Sequence, residues 1–452
     1  MQLSSILKIQ RDFFDTDATK NASFRKEALK KLLESIYENE PAIYAALKAD
    51  LGKSEMEAYM TEVRQVIEEI KYAIKHLDTW TKPKRVRTPI ALFPGISHII
   101  REPYGIVLIM APWNYPFQLA MVPLIGAIMG GNCAVIKTSK SSPNTSGVVV
   151  DIINSTFEKN YVYAIDTIIP YDEVLNQKYD YIFFTGSERV GKTVMRAAAE
   201  NLTPVTLELG GKSPCIVDET ADVELAARKI MWGKILNAGQ TCVAPDYALV
   251  HEKVKDKFIQ AAKKCSMEMV GDPFVNEDYP YIVSLHHFIR LKNLIEREKE
   301  VIGGRCDDKK LIIEPTILPQ ATFDSMAMKN EIFGPILPVI TYNDTKEMIE
   351  ILKSRPKSLA FYVFSKDEEF IDYMMKNISF GGGCVNDVIM HLANEALPFG
   401  GVGSSGMGNY HGRASFNTFT HEKSIYAVRA PWELNLRYPP YTQKMLDFIK
   451  KF

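Results

Sequence analysis

Short runs of apolar residues alternate along most of this chain with stretches whose apolar positions recur at helical spacing. "YGIVLIMAP" (104–112) has the length and branched-chain content of a strand, and 116–130 reads as a helix. "CAVIKT" (133–138) reads as a strand, with a helix predicted after Pro143; "YIFFTG" (181–186) follows as a strand, leading into the helical "SERVGKTVMRAAAE". A second series begins with strand "SPCIVD" (213–218) and helix 221–237, then strand "YALVH" and helix 252–269. "ILPVITY", "TKEMIEILKS", "LAFYVFS" and "DEEFIDYMMKNI" continue the alternation. Strands separated by helices imply parallel sheets joined by crossover connections, so two α/β domains are predicted, with the break near "LELGGKSP" (207–214). The first 80 residues are helical and charged. Two extended excursions, "RVRTPIALFPGISHIIREP" before Tyr104 and "NTFTHEKSIYAVRAP" near the other end, are expected to pair as a small additional sheet.

Length and composition narrow this picture. A chain of 452 residues exceeds one ordinary domain, and 46% hydrophobic with 24% charged residues is ordinary globular usage. The formal charge of -1 gives no electrostatic reason to expect nucleic acid or an anionic membrane surface as a partner. The longest apolar piece, "LAMVPLIGAIMGG" (119–131), is too short for the ~20 residues that span a bilayer, so it is assigned to the core. Six cysteines without a CxxC pair, and an N-terminus interrupted by Lys8, Arg11 and Asp12, fit a reducing cytosol with free thiols. The C-terminal "YTQKMLDFIKKF" is short and charged, which argues against a tail anchor.

Four places carry candidate chemistry. Cys242, in "NAGQTCVAPD" (237–246), lies in a turn of small residues that leaves room for a reactant at the sulfur; the competing reading is a small buried hydrophobe. Glu208, in "PVTLELGG", projects from one strand face just before Gly210 and Gly211. That placement suits a general base beside a close backbone approach, or a solvated strand residue. Asn114, in "APWNYPF", follows the carboxyl end of a strand, where open α/β sheets bind ligands; it can cap the next helix or donate to an oxyanion. "TGSERVG" (185–191) is a glycine-containing strand-to-helix turn of the kind whose N–H groups meet phosphate oxygens. "GVGSSG" (401–406) matches GxGxxG by letter, but no clear strand leads into it, so it is assigned to a loop without that role. His286 and His287 are adjacent rather than at ligand spacing, and His391, His411 and His421 are dispersed, so no metal is assigned.

"APWNYPF", "FTGSERVG", "LELGGKSP", "NAGQTCVAPD", "NEIFGPILPV" and "LPFGGVGSSGMGNYHG", in this order and spacing, resemble the aldehyde dehydrogenase superfamily. "NDVIMH", "GMGNYHG" and "RYPPY" (437–441) look most like its class 3 branch, and the resemblance runs from about residue 20 to 441. It implies a Rossmann-type cofactor domain (1–82 and 104–207), an α/β catalytic domain (208–412), a bridging sheet used for dimerisation (83–103 and 413–430) and a C-terminal tail (431–452). It implies Cys242 as nucleophile, Glu208 as general base and Asn114 as side-chain donor to the oxyanion. Glu331 and Phe333 match residues that hold the nicotinamide riboside, Lys137 matches the lysine beside the adenosine ribose, and the turn with Gly186, Ser187, Val190 and Gly191 matches the pyrophosphate loop. The implied activity is NAD- or NADP-dependent oxidation of medium- to long-chain aliphatic or aromatic aldehydes by a cytoplasmic homodimer, through a thiohemiacetal and a thioester. Tyr115, Met231 and Trp232 are candidates to line an apolar tunnel.

Two rival readings stand beside this one. The thioester could pass to coenzyme A or be reached by ester hydrolysis, although Glu208 favours water as acceptor. A non-catalytic protein on the same scaffold would have no reason to keep Cys242, Glu208 and Asn114 together. The chain departs from the family at "VIKTSK" (135–140): the common pattern is VxKPSE, and Lys140 stands where a glutamate would accept from ribose hydroxyls. Losing that carboxylate removes repulsion against a 2'-phosphate, and a cation attracts one. NADP is therefore expected to be accepted, with a kcat/KM comparable to or above that for NAD. A ratio far below unity in steady-state assays with both cofactors would contradict this.

Overall fold

The structure is a computed structural model that describes residues 2–431 and 436–451. Its centre is two six-stranded sheets. The first runs in the order Gly406–Met407, Val205–Glu208, Tyr181–Thr185, Ile106–Met110, Cys133–Lys137, Val162–Ile165. All neighbours are parallel except Gly406–Met407, which runs antiparallel to Val205–Glu208. The second, parallel throughout, runs in the order Thr316–Leu318, Ile336–Tyr342, Tyr247–His251, Pro214–Val217, Ala360–Phe364, Gly382–Val385. The chain passes from one sheet to the other between Glu208 and Pro214, inside the stretch where the sequence places the break.

The first sheet reverses its strand order between Ile106–Met110 and Tyr181–Thr185, and such a switch opens a crevice beyond the carboxyl ends of the two strands. Asn114 follows one of those ends and Gly186 with Ser187 follows the other. Both strands are buried along their whole length, as is the helix Gln118–Gly130 on every face. A helix apolar all round must be enclosed, which is why the thirteen-residue run reads as core. Among the described residues no helix is long and apolar enough to cross a membrane.

The two extended excursions pair. Ile96–Pro103 runs antiparallel to Thr420–Ala427, with Thr420 opposite Pro103 and Ala427 opposite Ile96, and Lys84–Val86 adds a third strand. The second excursion starts later than its alternation implies, because Gly412–Thr418 is a helix. In the segment 431–452, residues 432–435 and 452 lie outside the described residues, and the remainder carries the exposed helix Gln443–Ile449.

Two sequence expectations are corrected. The helix expected over 221–237 spans Val223–Ile235 and is followed by a tight turn, Leu236–Gly239, in which Asn237 and Ala238 both take φ of 49° and Gly239 takes 71°. A left-handed run cannot continue a right-handed helix, and it turns the chain toward Cys242. A Cβ on Gly239 would lie 2.3 Å from the Gly334 carbonyl oxygen, so no larger residue fits there. "GVGSSG" is irregular or turn up to Ser405, as expected, but not at its last residue. Its last glycine begins the strand beside Val205–Glu208, and a Cβ at Gly406 would stand 2.3 Å from the Leu207 carbonyl oxygen.

One buried side chain joins three parts of this frame. Asn132, with no exposed surface, accepts from the Gly105 N–H at 3.0 Å and donates to the carbonyls of Ala127 at 3.2 Å and Phe419 at 2.8 Å. Asn132→Ala leaves the Gly105 N–H and the Phe419 carbonyl unpaired, at about 1–3 kcal/mol each. A loss of roughly 2–6 kcal/mol is expected, measured as a lowered unfolding midpoint in urea.

Candidate active site

Two hollows lie in this region, and Cys242 is on the wall of the first. That first hollow is a cavity of about 570 Å³ whose wall includes Cys242 with Tyr115, Trp232, Leu236, Phe399 and Tyr410. The second is a cleft of about 520 Å³ bounded by Ser187, Gly210, Gly211, Lys212 and Glu331. The turn that starts at Leu236 presents the N–H groups of Cys242 and Val243 to the Cys242 sulfur, which favours the thiolate. Burial opposes it more strongly, and nearby Glu331 and Glu208 add to the opposition, so the thiol is pushed up to about 12.

Glu208 is 2% exposed, and neither carboxylate oxygen has a hydrogen-bond partner. Burial alone raises its pKa well above the usual carboxylate range. It ends the strand Val205–Glu208, which is flanked on both sides, so its side chain is enclosed rather than solvated.

Asn114 is 3% exposed and donates from Nδ2 to the Gln240 carbonyl at 3.0 Å. Its own carbonyl accepts from Asn237 Nδ2 at 2.8 Å. These bonds join the Asn114 turn to the loop that carries Cys242, and Tyr115 Oη with Thr241 Oγ1 adds a third link at 2.6 Å.

Glu331 packs over Gly210, where a Cβ would come within 2.2 Å of its carboxylate. Its Oε1 has no partner, and burial, with Asp246 second, raises it to about 8. The loop before it is held by Lys212, which pairs with Asp246 and donates to the carbonyls of Ala327 at 2.7 Å and Asn330 at 3.0 Å.

The other sequence-selected residues divide into two groups. Ser187 caps the helix Glu188–Ala199, accepting from the Val190 N–H, and stands on the cleft wall; Gly186 and Gly191 pack behind it on Phe184 and Leu209. Lys137, Lys140 and Phe333 are not on that wall. Lys137 is buried and donates to the Thr167 carbonyl at 2.6 Å, Lys140 is exposed, and Phe333 meets the Trp113 ring edge-on at 5.4 Å. Of the tunnel candidates, Tyr115 and Trp232 line the cavity, whereas Met231 faces the core with no exposed surface.

Several residues at the site escaped the sequence reading. Ser404, from "GVGSSG", lies on the cleft wall. Lys234 is buried with an unpartnered Nζ, and burial lowers it to about 8. Its signal was its spacing: it falls four residues after Ile230 and three after Met231, on the buried face of its helix. His411 lies on the cavity wall, stacked on Phe399 at 5.4 Å, and burial lowers it to about 4. Among the described residues no group of three or more His, Cys, Asp or Glu is placed to hold a metal ion.

The family model described as "Aldehyde dehydrogenase family" matches residues 2–425. The chain is 52% identical over 444 residues to 4,4'-diaponeurosporen-aldehyde dehydrogenase of Staphylococcus aureus, covering 97% of this chain and 96% of that protein. It is 40% identical over 447 residues to "Aldehyde dehydrogenase, dimeric NADP-preferring" of Rattus norvegicus, covering 98% and 99%. A substrate-bound structure of Staphylococcus aureus AldH superposes with a TM-score of 0.97 at 49% identity, covering 100% of this chain and 99% of that one.

The surroundings of Cys242 fix how its reactivity depends on pH. Because only the thiolate is nucleophilic, a thiol raised to about 12 should alkylate roughly 10³-fold more slowly at pH 7 than a free cysteine of pKa ~8.5. The rate should climb about tenfold per pH unit above that. At pH 9, where Glu331 is ionised, Glu331→Gln should accelerate the labelling. Iodoacetamide kinetics followed by mass spectrometry of the Cys242 peptide check all three, and rapid pH-independent labelling would contradict them.

Proposed function

The chain belongs to the aldehyde dehydrogenase family, and from that premise we propose that Cys242, Glu208 and Asn114 carry its reaction. The activity is NAD(P)-dependent oxidation of an aldehyde. The observation that supports the residue assignment most directly is a thiol on the wall of an apolar cavity with buried carboxylates beside it, one of which, Glu331, lines the polar cleft.

The cleft suits a dinucleotide in its chemistry. A Ser187-capped helix start offers N–H groups to a pyrophosphate, Gly210 and Gly211 permit close backbone approach, and the free Glu331 oxygen can accept from a ribose hydroxyl. We assign Gly186, Ser187, Val190 and Gly191 to the pyrophosphate loop, Glu331 and Phe333 to the nicotinamide riboside, and Lys137 with Lys140 to the adenosine ribose. Lys140 is exposed and free to meet a 2'-phosphate, which supports acceptance of NADP. When bound, the nicotinamide accepts the hydride.

The chain's own groups do the rest. The Cys242 thiolate adds to the aldehyde carbon, and the oxygen that becomes negative is held by the Asn114 amide and the Cys242 N–H. Asn114 Nδ2 carries two N–H donors, of which the Gln240 carbonyl takes one. After hydride departure the sulfur is acylated, and thiolate is a good leaving group for the next step. Glu208 then takes a proton from water, which attacks the thioester and releases the carboxylate. A carboxylate raised by burial is a stronger base than a solvated one, so hydrolysis gains as pH rises and Glu208 ionises.

The cavity supports an aldehyde with an apolar body, aliphatic of medium to long chain or aromatic, since its wall is largely aromatic and aliphatic, with polar Arg64, Glu68 and Glu395 also on it. We read 1–82 with 104–207 as the cofactor domain, 208–412 as the catalytic domain, and 83–103 with 413–430 as a bridging sheet that meets a second copy in a homodimer. Thr420–Ala427 is hydrogen-bonded on one side only, and Ile425 and Tyr426 on it are exposed, as an interface strand would be. Six free cysteines are compatible with the cytoplasm.

Cys242→Ala should abolish turnover. Glu208→Gln should slow thioester hydrolysis more than hydride transfer, so rapid mixing should give a pre-steady-state burst of reduced nicotinamide followed by a depressed steady-state rate. An unchanged steady-state rate in Glu208→Gln would remove Glu208 from the assigned role. Aldehydes of increasing length, assayed with both cofactors and with and without coenzyme A, test the substrate class and water as acceptor.

A further inference from the structure

Beside the Asn114 turn lies a fully buried ion pair that the chemistry described above does not use. Lys53 Nζ meets Glu62 Oε1 at 2.6 Å, with both side chains inaccessible. Glu62 sits in a π-helical turn, Tyr59–Val63, inserted between the helices Glu55–Ala58 and Arg64–Trp80; such turns recur at functional sites. A buried pair is a weak source of stability, because desolvating two charges offsets much of their attraction.

The remaining contacts of the pair converge on one turn. Lys53 also donates to the Asn114 carbonyl at 3.2 Å and stands 3.9 Å from the centre of the Tyr115 ring. Glu62 Oε2 accepts the N–H groups of Phe117 at 2.9 Å and Gln118 at 3.1 Å. The chain from Asn114 to Gln118 is therefore gripped at both ends by one buried salt bridge. From the same short segment, Glu57 accepts the N–H of Asn237 at 2.8 Å, and Asn237 Nδ2 supplies the second donor to the Asn114 carbonyl.

We propose that Lys53 and Glu62 are positioning residues for the oxidation: their buried pair fixes the Asn114 turn against the Cys242 loop, so that the Asn114 amide can reach the oxyanion. This rests on the reading of Asn114 as the oxyanion donor. A pair that merely stabilised the fold could be replaced by apolar side chains with a loss of stability but none of rate in the folded enzyme.

The test is a double-mutant cycle on the full-length enzyme. Lys53→Met/Glu62→Leu is combined with Asn114→Ala and read by the hydride-transfer burst, by the cofactor-free p-nitrophenolate burst from p-nitrophenyl acetate, and by the unfolding midpoint. Asn114→Ala alone is expected to slow both bursts about 10²- to 10³-fold, as loss of an oxyanion donor does. The Lys53→Met/Glu62→Leu variant should unfold at a lowered midpoint, since the Phe117 and Gln118 N–H groups lose their acceptor, and, assayed where it is folded, should slow both bursts about 10- to 100-fold, the scale of a misplaced catalytic group. In the Asn114→Ala background the same replacement should cost less than about twofold, because its route of action has gone. Equal losses in the two backgrounds, or a wild-type burst in Lys53→Met/Glu62→Leu, would overturn the inference. Wild-type bursts in Asn114→Ala would instead overturn the underlying assignment. If the apolar pair does not fold, Glu62→Gln enters the same cycle with the same criteria.

Discussion

Three of the four carboxylate oxygens of Glu208 and Glu331 find no donor among the described residues, and the structure encloses them all the same. Removal from water disfavours every charged form regardless of sign. Glu208 and Glu331 are raised, the Cys242 thiol is pushed up to about 12, and Lys234, on the same seam, is lowered to about 8. Cys242 and Glu331 therefore rest mainly on the neutral side of their equilibria at neutral pH, Glu208 is shifted the same way, and Lys234 still carries its charge there. A site in that condition is sensitive to whatever enters it. Positive charge in the cleft favours ionised Cys242, Glu208 and Glu331 together, so reactivity depends on occupancy as well as on pH.

The scaffold creates this seam by joining two sheets in opposite senses. Asn114, Ser187 and Glu208 follow or end strands of the first sheet, whereas Gly211, Cys242 and Glu331 precede strands of the second. Carboxyl ends of one sheet thus meet amino ends of the other, and each contributes backbone N–H groups and side chains from a turn rather than from a regular element. Water is excluded by the sheets, and the turns supply the chemistry. The two hollows also differ in lining, one largely aromatic and aliphatic with Cys242 on its wall, the other bounded by Gly210 and Gly211.

Most of the frame was legible because it is written in local periodicity. The alternation from Ile106 to Ile165 and from Pro214 to Val385 specified parallel sheets, and the two excursions paired as their pattern implied. Cys242, Glu208 and Asn114 could be singled out because each sits next to glycines, prolines or small residues that mark a turn at a strand or helix end. Three kinds of information were not local. The helix ends at Ile235 rather than 237 because Asn237 and Ala238 turn left-handed, in a loop whose Gly239 is packed closely by Gly334, far along the chain. The last glycine of "GVGSSG" joins a strand because an edge of the first sheet was open to it, a fact no window of six residues contains. Met231 and Trp232 are neighbours on one helix, and which of them faces the cavity depends on what packs opposite.

The charged residues show the same limit most clearly. Lys53, Glu57 and Glu62 occupy a segment whose composition reads as an ordinary solvated helix, yet Lys53 and Glu62 are wholly buried, and the backbone groups they hold lie more than fifty residues away. Helical spacing does place Glu62 four residues from Ala58 and from Val66, both buried. Periodicity can therefore say that a charge points inward, but not what it will meet. In a core of this density an inward charge persists only where specific donors and acceptors receive it. Here they are the backbone groups of the Asn114 turn, which ties a polar interaction that is costly to bury to the one loop whose geometry the chemistry requires.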